Sequence, residues 1–482
     1  MSTSSCTPAT LFIDLASFGE FEGYVYGGMT AVSIFVASIQ KSNWMSHMPV
    51  ATRCASGCMD FGAKNVCSSL NRSGDYVLGI WFRAKIPKVE LRQPENGDGI
   101  FSDATVRWTR NLMHNLFSKI SITFNELSVQ EFDSYWLDMN FQFRCRGSKR
   151  IGYRNMIGDI AAMTNPAGIG AELGTGGFFN VPLPFFFGED TGIALPVAAL
   201  PFNDIKINYD LRSLDELLVV YPGTAATGGT GGPQTGRSAT CSDVYVVGSN
   251  SHPTLKTPQT FATYAVVHND ERVKMGDGIR DLLIHQVQTT QHCPFKDTCT
   301  KSTFDVRLSH AVVLFTFAAE NVTLQKWPAG CGGERSNYTT EIDYEGLDPI
   351  AEATLIYENT PRVCMGSDYY SLVAPWFWST AIPDETGYHM YSYAVWPWAA
   401  TTPSGSTNYS KLANVSITYE MSDAAQAASD SVNPLDKQGN LIEYPDSAGV
   451  MTPMPQQFQH LFYARNHNIA RVANGSLGHP TL

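Results

Sequence analysis

The sequence predicts an all-β chain of two tandem eight-stranded antiparallel jelly rolls (a double jelly roll), with long loops and an extended N-terminal arm. Three observations predict it. The chain writes one pattern twice: Pro184-Phe185-Phe186-Phe187, Asp190-Thr191-Gly192, Ile205-Lys206-Ile207-Asn208-Tyr209-Asp210, then Tyr264-Ala265, His268-Asn269 and Arg272-Val273. The second copy follows in the same order: Pro375-Trp376-Phe377-Trp378, Glu385-Thr386-Gly387, Val415-Ser416-Ile417-Thr418-Tyr419-Glu420, then Tyr463-Ala464, His467-Asn468 and Arg471-Val472. The repeated unit, about two hundred residues, far exceeds the ~20–50-residue repeats of solenoids and propellers. Short runs of alternating apolar and polar residues supply the strands. Finally, a long excursion precedes the last strand of each half, Arg212–Gln259 and Met421–Pro455. Hairpins of ~2–5 residues would join a meander, so these jumps point to Greek-key topology, of which the jelly roll is the large form.

Composition agrees. At 482 residues the chain exceeds what one core normally supports. Charged residues are only 16%, aromatics reach 12%, and there are 40 glycines and 26 prolines. That describes short strands, many turns and large buried or interface surfaces. A net charge of −12 without any basic run argues against direct contact with nucleic acid. The first forty residues hold no Lys or Arg and position 2 is Ser2, so neither a secretory signal nor a myristoylation site is expected. The longest apolar runs, Ile193–Phe202 and Ala311–Ala319, fall short of the ~20 residues of a membrane helix. Ten scattered cysteines are too sparse for a disulfide scaffold, and the thiols are expected to stay reduced.

In chain order, residues 1–30 read as an arm, 31–275 as the first jelly roll and 276–482 as the second, with an insertion near 422–455. Strands are expected at Asp75–Ile86, Val106–Asn111 and Ser118–Phe124; in the last, Ile120, Ile122 and Phe124 alternate with polar residues. Glu131–Arg144 fits helix or strand. Ile160–Asn180 and Tyr221–Pro258 read as long loops on either side of the Ile205–Asp210 strand, and Phe261–Val267 closes the first half. In the second half, strands are expected at Asp281–Gln288, Thr303–Ala319, Ala353–Tyr357, Tyr388–Val395, Asn414–Glu420 and Gln457–Val472, with Trp327–Asp348 as loop.

Catalytic chemistry finds little support. A metal-dependent tandem jelly roll needs His-x-His with a carboxylate, whereas His285/His292 and His460/His467 are spaced by seven, about 23 Å along a strand. Cys54, Cys58 and Cys67, or His292-Cys293 with Cys299, lack paired Cys-x-x-Cys units. Gly168-Ile169-Gly170 with Gly174 has the wrong spacing for a dinucleotide fingerprint, and no phosphate-binding loop or Gly-x-Ser-x-Gly turn occurs. The reading is therefore of no enzyme, with no catalytic, cofactor-binding or metal residues and no cofactor. Glu189-Asp190 and Asp384-Glu385 read as solvated turns. The aromatic triplets read as packing or subunit contact, with sugar stacking as the alternative. His268, Asn269, Arg272, His467, Asn468 and Arg471 form a repeated structural motif, expected to hydrogen-bond at the end of each last strand.

Leu183–Pro196, Arg72-Ser73-Gly74-Asp75-Tyr76, Met113-His114-Asn115 and Asn155-Met156-Ile157-Gly158 resemble the major capsid proteins of nucleocytoplasmic large DNA viruses, on the iridovirus and marseillevirus side. So do Tyr357-Glu358-Asn359-Thr360, Tyr369–Val373, Ser404–Tyr409 and His467-Asn468-Ile469. The resemblance runs from about Phe12 to the C-terminus; the stretches Cys54–Cys67, Gly223–Pro258 and Ser422–Pro455 depart from it. It implies two upright jelly rolls per chain, a homotrimer of pseudo-hexagonal outline, and trimers tiling an icosahedral virion shell assembled in the host cytoplasm. Expected partners are neighbouring capsomers, minor capsid proteins and an internal membrane, with no direct nucleic acid. A tandem jelly-roll carbohydrate-binding or carbohydrate-processing protein, and a bicupin-type enzyme, are the alternatives.

Overall fold

The computed structural model describes residues 41–56, 59–94, 99–225, 236–295, 300–327 and 332–480, and within the first forty 12–13, 16–17, 19–27, 31–35, 37 and 39. The chain divides into two compact units, Met1–Trp44 and Met45–Leu482. In the first, helix α1 (Glu20–Val25) is started by Glu22, whose carboxylate accepts from the Gly19 amide at 3.0 Å. Its aromatic side chains Phe21 and Tyr24 are exposed.

The second unit holds two sandwiches of the same plan. The first is built from β1 (Met45–Ala51), β2 (Arg53–Ser56), β3 (Val66–Ser69), β4 (Tyr76–Lys85), β5 (Phe117–Phe124), β6 (Leu127–Phe132), β7 (Phe178–Leu183), β8 (Ile205–Leu211) and β9 (Lys256–Val267). Its sheets run β1-β9-β4-β7 and β2-β3-β8-β5-β6, all antiparallel, with β2 an added edge strand. The second uses β10 (Arg280–Thr289), β11 (Lys301–Asp305), β12 (Ala311–Asn321), β13 (Ile350–Tyr357), β14 (Thr360–Gly366), β15 (His389–Ser392), β16 (Val415–Met421) and β17 (Phe458–Ala473). Its sheets run β10-β17-β12-β15 and β11-β16-β13-β14. Setting β2 aside, both halves interleave first, last, third and sixth strands in one sheet and second, seventh, fourth and fifth in the other. That is the jelly roll expected from the long final crossovers.

Local chemistry explains the strands. In β8 the side chains of Ile205, Ile207, Tyr209 and Leu211 are buried and those between are half-exposed; β16 repeats this with Val415, Ile417, Tyr419 and Met421. Both β5–β6 and β13–β14 are closed by two-residue turns with positive φ at each position, Asn125 and Glu126 in one, Glu358 and Asn359 in the other. Such turns match the strand twist.

Alternation of direction sends the connections β4–β5, β6–β7 and β8–β9, and β12–β13, β14–β15 and β16–β17, out of the same end of their sandwiches. They interlock there: Ala225 N donates to Gly449 O at 2.9 Å and Ser238 Oγ to Ser447 O at 3.0 Å. Four residues of these connections, Val219, Leu324, Tyr444 and Met454, form a small apolar core of their own.

Three expectations need correction. Glu131–Arg144 splits: β6 ends at Phe132, Asp133 caps the next helix by accepting from Trp136 N at 3.0 Å, and α2 (Ser134–Arg144) follows. The aromatic triplets are not structurally equivalent. Phe185–Phe187 follow the sixth strand, β7, and are fully buried, whereas Trp376–Trp378 precede the sixth strand, β15, in helix α3 (Ala374–Trp378). Trp376 and Phe377 are exposed. Finally, Cys241 is disulfide-bonded rather than reduced. Cys145, Cys293 and Cys364 are free thiols; Cys6, Cys58, Cys299, Cys331 and the Cys54 side chain lie outside the described residues.

Candidate functional site: the seam between the two jelly rolls

Among the described residues no group of three or more His, Cys, Asp or Glu side chains is placed to hold a metal, and no helix is long and apolar enough to cross a membrane. The concentrated chemistry lies where the two sandwiches meet, and it is structural. Helix α2 buries Tyr135, Trp136, Leu137, Met139, Phe141 and Phe143, leaving no wet face on its apolar side. Trp136 packs beside Trp398 and Tyr463 of the second half, at 6.5 and 6.2 Å between ring centroids.

Asp138, on the same helix, is a fully buried hub. Its Oδ1 lies 2.7 Å from His114 Nδ1 and accepts from Asn111 Nδ2 at 3.1 Å. Its Oδ2 accepts from Ser336 Oγ and Tyr338 Oη of the second half, at 2.5 and 3.1 Å. A carboxylate with four donors is one way a buried charge becomes tolerable.

Glu189, between β7 and β8, reaches the other way. It accepts from Arg144 at 2.9 Å and from Arg465 of β17, whose guanidinium also lies 2.8 Å from His285 Nδ1 of β10. Burial alone would push the Glu189 carboxyl up, but Arg465, the neighbouring His285 and Arg144 outweigh it and bring it down to about 2. Burial brings Arg465 down to about 10, with Glu189 opposing, so it is charged at neutral pH. Both Arg144 and Arg465 lie over the Trp398 ring, at 5.3 Å.

The mirror of this contact is Glu385, from the second half, which accepts from Arg110 at 2.5 Å and Arg154 at 2.6 Å in the first. Arg335 donates to Tyr135 Oη at 3.2 Å and Glu216 at 3.1 Å, and Arg107 pairs with Glu334. The reading of Glu189 and Glu385 as solvated turns is therefore overturned: each carboxylate pairs with an arginine of the opposite half, and Glu189 also with Arg144 of its own. Asp190 keeps the turn role, accepting from Gly192 N at 2.7 Å, whereas Asp384 pairs with Arg150 at 2.6 Å and Arg154 at 3.2 Å in the first half.

The repeated motif recurs in letters more than in contacts. His268 is exposed and precedes the short helix Asn269–Gly276, while Arg272 Nε donates to Asp75 at 2.9 Å, just ahead of β4. In the second half the strand runs on, so His467, Asn468 and Arg471 all lie within β17. Arg471 clamps Asp281 on β10 through two bonds of 2.7 and 2.8 Å, and Asn468 donates to Gln286 at 2.9 Å. His467 lies tilted against His285 at 4.8 Å between ring centroids, and neither of its ring nitrogens has a hydrogen-bond partner among the described residues.

Asp138, Arg110, Arg144, Arg335 and Arg465 escape the sequence reading. The available signal is an arginine ending an aromatic run in a chain poor in charge, as in Phe141-Gln142-Phe143-Arg144 and Phe462-Tyr463-Ala464-Arg465.

Two jelly rolls fused through a buried seam define a double jelly-roll protein. Solved structures agree on the fold. The capsid chain in the quasi-atomic model of the PBCV-1 virus has a TM-score of 0.65 at 18% identity, covering 93% of this chain and 100% of that one. The Faustovirus major capsid protein has a TM-score of 0.63 at 11% identity, covering 97% and 99%. Residues 33–256 match the model of the major capsid protein N-terminus, and residues 271–478 that of the large eukaryotic DNA virus major capsid protein. The major capsid protein of Costelytra zealandica iridescent virus is 41% identical, covering 100% of both chains. That of Invertebrate iridescent virus 3 is 42% identical over 98% of each, and that of Lymphocystis disease virus 1 is 38% identical over 99% of each. The chain belongs to the major capsid protein family of large eukaryotic DNA viruses and is a structural protein of the virion shell. The carbohydrate-binding alternative finds no support in these relatives.

Proposed function

We propose that three copies of the chain form a trimer of pseudo-hexagonal outline, and that such trimers tile an icosahedral shell. One observation carries this reading: a single chain holds two sandwiches of identical strand order, fused at a buried seam, so three chains present six similar corners. A cyclic trimer repeats one pair of complementary patches three times. The native species should weigh three times 52.9 kDa or assemble further. A monomer at all concentrations in native mass measurements would remove the reading.

Partners follow from the same geometry. The acidic surface suits contact with neighbouring capsomers and minor capsid proteins rather than nucleic acid. The aromatic N-terminal arm is suited to docking on such a partner or on an internal membrane beneath the shell, with assembly in the host cytoplasm. Arg272, pairing with Asp75 just ahead of β4, and Arg471, pairing with Asp281 on β10, act as fasteners of the end of each half. The interlocked crossovers form the outer end of the capsomer. Limited proteolysis of intact particles should therefore cut within 223–258 and 422–455 first; cuts confined to strands, with both crossovers spared, would refute that orientation.

A further inference from the structure

The fused seam shows which surface of one jelly roll fits which surface of the next, and the unused halves of that pairing are exposed. Within the chain, the first jelly roll contributes β6, helix α2 and the turn around Phe186–Glu189. The second contributes its first strand, β10. Gln286 Nε2 on β10 donates to Val129 O on β6 at 2.7 Å, and Arg465, on the strand beside β10, reaches Glu189. All are covered: Val129 and Phe132 on β6, Leu282, Ile284 and His285 on β10, and nearly all of α2.

Their counterparts in the other jelly roll are bare. The first strand of the first half, β1, is exposed along its length except at Val50, with Met45 and Met48 49% and 42% exposed. The fifth strand of the second half, β14, has no buried residue, whereas its counterpart β6 has Val129, Gln130 and Phe132 buried. The helical stretch after β14, Tyr369–Val373 running into α3, turns Leu372, Val373, Trp376 and Phe377 outward on one face, since 372 and 376, like 373 and 377, are four apart. The turn after β15 exposes Val395 and Trp396, where the turn after β7 buries Phe186 and Phe187. Three elements of one half and one of the other are thus uncovered, in the combination that the intrachain seam covers.

We propose that β14, the 369–378 helical stretch and the Val395-Trp396 turn of one copy receive β1 of a second copy, repeating between chains the contact made within each. The proposal rests on the trimer reading and names its two patches. The contact is head-to-tail, so it leaves one patch free at each end of an open chain and closes only when the ring is complete. It is more apolar than the seam: no acid lies between 393 and 414 to play the part of Glu189, and Val266, two residues beyond Tyr264, stands where Arg465 stands two beyond Tyr463. Exposed tryptophan, phenylalanine and methionine are the residue types that interface centres favour.

The test uses the full chain and two variants, Met45→Asp with Met48→Asp, and Trp376→Asp with Phe377→Asp. All four side chains are exposed, so the far-UV circular dichroism and thermal unfolding midpoint of the isolated chain should be unchanged. Each variant alone should raise the concentration needed for trimers by at least about thirtyfold. Mixing the two leaves one intact patch on each chain, and native mass measurement should show heterodimers without trimers. Trimers persisting in either variant, or a mixture without heterodimers, would overturn the patch assignment while leaving the trimer reading intact. That includes the case in which β1 is covered by residues 1–44 of its own chain. A wild-type chain that never trimerises would overturn both.

Discussion

Glu189→Ala is expected to destabilise the protein by about 3–5 kcal/mol, because it strands the buried Arg465 guanidinium without its counter-charge. Arg465 is 1% exposed, its Nε and Nη1 have no hydrogen-bond partner among the described residues, and it would keep only His285 as a hydrogen-bond partner beside the Trp398 ring. Replacing both partners by apolar residues, Glu189→Leu with Arg465→Met, should recover most of the loss, since burying two charges costs nearly what their attraction returns. Thermal unfolding of the three chains at neutral pH checks this; a single variant as stable as the double would refute it. The pH dependence has a fixed sign. A carboxyl held at about 2 in the folded chain, against 4.5 ordinarily, contributes stability that is present above 4.5 and lost as pH falls toward 2. Glu189→Ala should therefore lie closest to wild type near pH 2.

The second expected result is acid sensitivity of the second jelly roll, centred on His460. Burial, with a minor contribution from His292, pushes this imidazole from 6.5 down to about 3. Its Nε2 lies 2.9 Å from Tyr419 Oη, and its ring stacks on Phe304 at 4.3 Å between centroids. The unfolded chain takes up a proton at 6.5 that the folded chain refuses until about 3. Stability therefore falls as pH drops through that window, by about 5 kcal/mol from this residue. His460→Gln keeps a partner for Tyr419 and cannot titrate there, so its unfolding midpoint should be flatter between pH 6.5 and 3. Identical pH slopes in the two chains would count against the assignment.

Both predictions concern side chains whose importance was only half visible in the sequence. Glu189 and Glu385 stand out as recurring acids, yet adjacent acids in a turn look solvated until the arginines that reach them are known. Those arginines are distant in sequence: Arg465 is separated from Glu189 by most of the second jelly roll, and Arg110 from Glu385 by most of both. The aromatic triplets mislead for a related reason. Three bulky rings after a proline suit a buried turn and an exposed helix equally well, and the chain uses one of each, on opposite sides of the sixth strand.

Period-two patterning and turn chemistry are local, so the sequence by itself determined the duplication, strands such as β8, β10, β16 and β17 and, through two long final crossovers, the jelly-roll topology, whereas β1, β3, β7 and β14 were not legible in it. Ile205–Leu211 and Val415–Met421 show this directly, since each strand's pattern of buried side chains is written in its own letters. Only the tertiary structure decided which surface of one sandwich covers which surface of the other, and hence which charges are buried and which strands are left bare. That choice depends on packing between residues hundreds of positions apart, which no local pattern encodes.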